Sequence, residues 1–298
     1  MTNRILCIGE CMVELSPTSG GLFQQGFAGD TFNTAWYLRR LLPADWQVEY
    51  LTAVGDDPMS DRMLEFMHAS GIGTRHIAVR LKGTPGLYLI SLKDAERSFS
   101  YWRGQSAART LAQDAGHLEK AFAEAQVLVF SGITLAILPD ADRQRLLTAL
   151  ATARQAGSRV VFDPNLRPRL WADTKKMCAA VTEAARVADV VLPSFDDESA
   201  AFGDQTPAET ARRYHKLGAT EVVVKNGGGE IHWLSQTGTG QWQPPPAPHI
   251  VDTTAAGDSF NAAFLCVRVA GRDLADAVAK GAAVAAKVIG APGALVEV

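Results

Sequence analysis

Short apolar runs alternate with longer amphipathic stretches along most of the chain. Runs rich in Val, Ile, Leu and Phe at 5–8, 48–54, 127–130, 160–162, 190–192 and 222–224 are nearly continuous, the pattern of strands buried on both faces. Between them, apolar residues recur at spacings of three and four over 31–42, 60–69, 139–156, 173–187, 207–217, 257–270 and 273–289, as on one face of a helix. Gly71, Gly157 and Gly218 follow three of these stretches, where a left-handed residue closes a helix. Strand and helix in this alternation predict an α/β fold, a mainly parallel central sheet with helices on both faces.

Two segments, 11–28 and 84–103, break the rhythm. In the second, 86–92 and 97–102 are separated by the polar Lys93-Asp94-Ala95-Glu96, a hairpin pattern rather than a strand-helix-strand unit. The expectation is one domain, 1–298, into which both segments are inserted as a small β-sheet. Lying over the C-terminal ends of the main strands it would act as a lid, and its exposed face offers a surface for pairing into a homo-oligomer. The Pro-rich stretch 244–248 reads as a stiff connector to the segment after it.

Composition narrows the class. A chain of 298 residues that is 47% hydrophobic can bury a core of this size. With net charge −3 and 29 Lys and Arg scattered without a basic run, nothing predicts a nucleic acid or a membrane as partner. No apolar stretch reaches about 18 residues. The opening MTNRILCIGE enters a strand directly, so a cytoplasmic location is expected. Cys7, Cys11, Cys178 and Cys266 form no CxxC pair and are expected as buried thiols, and the six histidines are isolated, which excludes zinc-hydrolase patterns.

The chemistry is concentrated in Asp252-Thr253-Thr254-Ala255-Ala256-Gly257-Asp258-Ser259-Phe260. Phe260, Ala263, Phe264 and Val267 continue it with helical spacing, so a helix begins near Gly257. Its first amides lack intrahelical partners and its macrodipole is positive, which together favour an anion. Asp258 beside such an anion is placed as a base for an attacking hydroxyl; equally, a lone Asp there complements the positive helix end. Lys225-Asn226-Gly227-Gly228-Gly229 is either a loop that wraps a nucleotide or a hairpin turn. Tyr101 and Arg103 share a face if their segment is a strand, and Arg167 follows a central strand. Two arginines meeting there would suit a carboxylate, whereas each alone reads as a surface charge. Neither GxxxxGK[ST] nor GxGxxG is present.

Asp252 to Asp258 and Gly26-Phe27-Ala28-Gly29-Asp30-Thr31-Phe32-Asn33 together resemble the two signatures of the ribokinase-like (PfkB) carbohydrate kinases, with Ala255 and Ala28 where glycine is usual. The resemblance runs over essentially the whole chain and implies a three-layer α/β/α sandwich with a small β-sheet lid, ATP as phosphoryl donor and Mg²⁺ as its companion. It implies Asp258 as the catalytic base and the amides of Ala255, Ala256, Gly257 and Asp258 as an anion hole. Asn165, Ser194, Lys225, Gly227, Gly228 and Gly229 would lie on the nucleotide, with Lys225 lending its charge to the phosphates and adenine near 283–287. Ser194 and Asp197 fall where the family has the Asn and Glu of an N-x-x-E motif, which implies Asp197 in the metal's water shell, although Asp196 and Glu198 adjoin it and the cluster also suits a helix start.

Within the family, Ile8-Gly9-Glu10-Cys11-Met12-Val13-Glu14-Leu15, Pro85-Gly86-Leu87-Tyr88, Tyr101-Trp102-Arg103, Ser131-Gly132-Ile133 and Asp163-Pro164-Asn165-Leu166-Arg167 resemble the members that phosphorylate the 6-hydroxyl of an acidic keto sugar, 2-keto-3-deoxygluconate. That implies Gly29, Asp30, Asn33, Tyr88, Tyr101, Arg103, Arg167 and Asp258 on the substrate. Met12 and Glu14 stand where ribose-specific members carry Asn and Asp. A neutral-sugar kinase resembling fructokinase and a catalytically silent sugar or nucleotide sensor are the competing readings.

Overall fold

The computed structural model describes residues 3–93 and 96–298. Asp94 and Ala95, the middle of the expected hairpin connection, and Met1 and Thr2 lie outside the described residues. The strands are β1 (Arg4–Ile8), β2 (Met12–Pro17), β3 (Phe23–Ala28), β4 (Gln47–Gly55), β5 (Gly73–Arg80), β6 (Gly86–Lys93), β7 (Glu96–Trp102), β8 (Val127–Ser131), β9 (Arg159–Asp163), β10 (Val190–Val191), β11 (Glu221–Val224), β12 (Ile231–Ser235) and β13 (Gly238–Trp242). The helices are α1 (Asp30–Leu41), α2 (Pro58–Ala69), α3 (Ala115–Ala123), α4 (Gly132–Ile137), α5 (Asp140–Gln155), α6 (Thr174–Arg186), α7 (Phe195–Phe202), α8 (Pro207–Lys216), α9 (Ala256–Val269) and α10 (Leu274–Val288).

Nine strands form the main sheet in the order β13-β12-β11-β10-β9-β8-β1-β4-β5. All its pairings are parallel except the β11-β12-β13 meander at one edge. Because side chains alternate along a strand, each central strand feeds two cores. Ile5 and Cys7 of β1 pack with Phe32 and Trp36 of α1, Phe264 of α9 and Val278 of α10. Leu6 and Ile8 pack on the other side with Leu118 of α3, Leu146 of α5, Val181 of α6 and Tyr214 of α8. The result is three layers, helix on sheet on helix. Asp57, Asp173, Thr206 and Asp273 cap α2, α6, α8 and α10 with their side chains, and Gly71, Gly157 and Gly218 have positive φ just past α2, α5 and α8.

The two interrupting segments pair into a second sheet of order β3-β2-β6-β7. Its inner strands, β2 and β6, run parallel and its outer pairings are antiparallel. The register aligns Glu14 with Tyr88 and Tyr88 with Tyr101, so three side chains line up across one face. The other face reaches the main core through Phe27, whose ring lies 5.5 Å from that of Phe66. Six elements lie outside the expected set: β5, β12, β13, α3, α4 and α7. β5 is an edge strand carrying Thr74, Arg75 and His76; β13 opens Gly-Thr-Gly-Gln; the helices have 9, 6 and 8 residues, too short for a periodic signal. Cys178 and Cys266 are half-buried, not buried as expected.

Candidate active site

The segment at 252–258 folds around Asp252. Its Oδ1 accepts from the Thr254 N–H at 3.0 Å and the Thr254 hydroxyl at 2.7 Å, and its Oδ2 accepts from the Gly293 N–H at 2.6 Å. Ala255 then turns into the left-handed region, φ 60°, and α9 starts at the next residue. The first helical bond runs from the Ser259 N–H to the Ala255 carbonyl. The amides of Gly257 and Asp258 therefore precede it. The Ala256 N–H, expected as a fourth anion donor, instead donates to the Thr253 carbonyl at 3.2 Å.

Two helix N-termini meet here. Asp258 Oδ2 accepts from Asn33 Nδ2 on α1 at 2.8 Å, and the Thr34 hydroxyl donates to the Asp258 carbonyl at 3.4 Å. α1 starts close because Gly29 has no side chain: a Cβ would lie 2.1 Å from the Glu10 carbonyl oxygen. Asp30 at the same end accepts from Asn165 Nδ2 at 2.8 Å. Asn165, expected on the nucleotide, thus has its amide on an expected sugar ligand, and its backbone is left-handed, φ 34°. The Asp258 carboxyl is pushed up to about 8, first by burial and then by repulsion from Asp30 and Asp163, while Asn33 and Lys225 pull the other way. A carboxyl so poised is the kind that accepts a proton near neutrality.

Beneath the helix end lies a buried cluster that the sequence reading did not assemble. Lys225 Nζ donates to Asp163 Oδ2 and to Asn261 Oδ1, each at 3.1 Å, and Asn261 Nδ2 donates to the same Asp163 oxygen at 2.6 Å. Lys225 Nζ also stands 3.5 Å from where a Cβ on Gly257 would be. Its charge therefore lies behind the Gly257 amide and is held by Asp163. Asp163 carried a signal, its place at the end of a central strand; Asn261, inside α9, carried none.

The remaining expected residues divide into two groups. In the lid, the Tyr88 hydroxyl donates to Glu14, and its ring lies 5.9 Å from that of Tyr101. Arg103 donates to Glu10, with its guanidinium 5.9 Å from the Tyr101 ring. On the main domain, the exposed Arg167 donates to Asp197 at 3.3 Å, so the two arginines have separate carboxylate partners. Ser194 bridges to Lys225 at the start of α7, which sets that helix beside β11 and the turn holding Gly227, Gly228 and Gly229. Of the neighbouring acids, Glu198 is buried against Arg213 at 2.7 Å and the Tyr214 hydroxyl at 2.9 Å, which removes it from the cleft. On α10, Ala283 and Lys287 are exposed and Val284 is buried. Two grooves of about 660 and 470 Å³ lie at the N-terminal ends of the strands, around Glu221 and Glu49, and include none of these residues.

The sequence profile described as pfkB family carbohydrate kinase matches residues 2–297. The chain belongs to this family. Among curated relatives, the 2-dehydro-3-deoxygluconokinase of Haemophilus influenzae is 40% identical, covering 99% of this chain and 96% of its own. That of Escherichia coli K12 is 38% identical, covering 99% and 98%. Among solved structures, the PfkB protein from Polaromonas sp. JS666 superposes with a TM-score of 0.85 at 29% identity, over 99% of this chain and 98% of that one. The three-layer sheet with its smaller second sheet is thus the ribokinase-like architecture of the pfkB family.

Proposed function

We propose that the chain transfers the γ-phosphoryl group of ATP to the 6-hydroxyl of 2-keto-3-deoxygluconate, giving 2-keto-3-deoxy-6-phosphogluconate. The observation that carries the proposal is Asp258: a carboxyl raised to about 8, in the first turn of a helix and oriented by Asn33. The acidic keto sugar is supported by the name of the relatives 38–40% identical over nearly the full chain.

In this reading Asn33 occupies Oδ2 of Asp258, and Oδ1 takes the proton of the 6-hydroxyl as its oxygen attacks the γ-phosphorus. The amides of Ala255, Gly257 and Asp258, with the α9 dipole, stabilise the charge on the transferring group. Lys225 adds positive potential from behind Gly257. Asp30, held by Asn165, and Gly29 and Asn33 bind sugar hydroxyls; Tyr88, Tyr101, Arg103 and Arg167 take the acidic end. Gly227, Gly228, Gly229 and Ser194 line the nucleotide's path, and adenine lies near 283–287.

Mg²⁺ prefers waters and phosphates with one or two carboxylates, not an all-protein cage. Asp197 fits that role: burial raises its carboxyl and Asp163 adds to this, against the pull of Arg167 and Lys225, and a nearby cation would favour the ionised form. Bound there through water, the ion would screen the phosphates. The whole chain acts as one domain, with β2, β3, β6 and β7 as the lid, working in the cytoplasm.

One observation favours a second reading, a kinase of a neutral sugar: both guanidiniums already face carboxylates, Arg103 on Glu10 and Arg167 on Asp197. Coupled detection of ADP with 2-keto-3-deoxygluconate, gluconate, fructose and ribose side by side separates the two. Turnover confined to the keto acid is expected; preference for fructose would establish the second reading, and no turnover on any sugar would leave a sensor.

A further inference from the structure

All four places where the chain crosses between the main domain and the lid sheet meet at one residue, Glu10. It lies on the first crossing itself, between β1 and β2. At the second, the β3 to α1 junction, its carbonyl oxygen would be 2.1 Å from a Cβ on Gly29. At the third, where β6 begins, its Oε1 would be 2.7 Å from a Cβ on Gly86. At the fourth, beyond β7, its Oε1 accepts from the Ser106 hydroxyl and its Oε2 from Arg103 Nη2. The carboxylate is almost wholly buried, 1% exposed, and Arg103 is 10% exposed. Burial raises the Glu10 carboxyl, against the pull of Arg103 and Ser106.

A buried carboxylate is tolerated only when paired and hydrogen-bonded. Glu10 meets both conditions, but its partner does not: Arg103 Nε is buried with no hydrogen-bond acceptor among the described residues. A guanidinium fixed through one nitrogen with an adjacent N–H unmet is preorganised for a further acceptor. We infer that Glu10 is a positioning residue, which aims Arg103 at the acidic end of the sugar and ties that contact to the seating of the lid. This rests on the substrate reading above. Without the carboxylate the guanidinium loses its anchor, and an acidic substrate must then order a mobile arginine at the cost of affinity.

The test uses the purified full-length chain. Glu10→Gln keeps the shape and removes the charge; the KM for 2-keto-3-deoxygluconate is expected to rise about tenfold or more, with kcat changing less and the KM for ATP within about twofold. Glu10→Asp should recover part of the loss. Hydrogen exchange at β6 and β7 amides, read without substrate, should speed up in Glu10→Gln. If that variant does not fold, Ser106→Ala, which removes one hydroxyl from the same carboxylate, should raise the sugar KM in the same sense. Unchanged sugar KM together with unchanged lid exchange, or an equal rise in the KM for ATP, would overturn the inference. A wild-type chain that turns over only neutral sugars would instead defeat the substrate reading and the aim of Arg103 with it, and lid exchange then decides the hinge role by itself.

Discussion

Asp258 and Ala255, three residues apart, show how much a single position decides. Asp258→Asn preserves the Asn33 contact and removes the proton acceptor, so kcat should fall by about a hundredfold or more with ATP affinity retained. Near-normal turnover would exclude Asp258 as base. The same variant carries a stability signature. The folded carboxyl titrates near 8 and an unfolded aspartate near about 4, so between those values the folded chain binds the extra proton. The stability that proton confers is complete below about pH 4 and lost as pH rises through about 8. Asp258→Asn lacks this titration, and its melting temperature relative to wild type should climb from pH 4 to pH 8; a constant offset would contradict the raised carboxyl. At Ala255 the left-handed backbone, φ 60°, costs a residue with a Cβ about 1 kcal/mol, partly offset because glycine is freer when unfolded. Ala255→Gly should therefore raise the melting temperature by about 1–2 °C, and a drop in calorimetry would count against strain there. Both positions were legible because what marks them is local: a helix start, small residues, one acid.

Elements join through contacts that local pattern cannot show. The apolar runs located the six central parallel strands, and the periodic stretches the seven longer helices, because burial on one or both faces writes itself into sequence at a fixed period. The Lys225, Asp163 and Asn261 cluster that locks β11, β9 and α9 together has no such period, its members lying 36, 62 and 98 residues apart. Nor did the arginines reveal their partners: Arg103 reaches back 93 residues to Glu10. The cluster makes a definite prediction. Lys225→Met strands a buried Asp163 charge and should cost about 3–5 kcal/mol of stability, read by chemical denaturation. Adding Asp163→Asn should restore much of it. In the single variant Asp258 also loses a positive neighbour while keeping Asp163, so the acid limb of kcat/KM should move to higher pH. Equal stabilities of the single and double variants would show that the charges are not coupled.

At the scale of the molecule, the lid decides what the core cannot. The main sheet and its helices bury most of their apolar faces, with Val79 of the edge strand β5 left 56% exposed. The second sheet is held on one side by Phe27 and at its root by Glu10, yet it leaves Phe23 49% and Trp102 60% exposed, with Leu22 beside it at 69%. A four-stranded sheet presenting large apolar side chains at its rim invites a matching surface, and a second copy of the same sheet is the simplest one by symmetry. We therefore expect a homodimer joined through the lids. Replacing both Leu22 and Phe23 with charged residues should shift the sedimentation coefficient to that of a 31.9 kDa monomer while leaving the core's melting transition in place. On the proposal that the same sheet closes over the substrate, the monomeric variant should also show a raised sugar KM with kcat largely kept. A wild-type chain that sediments as a monomer at micromolar concentration would end the dimer proposal, and the rim would then have to be explained by lid motion alone.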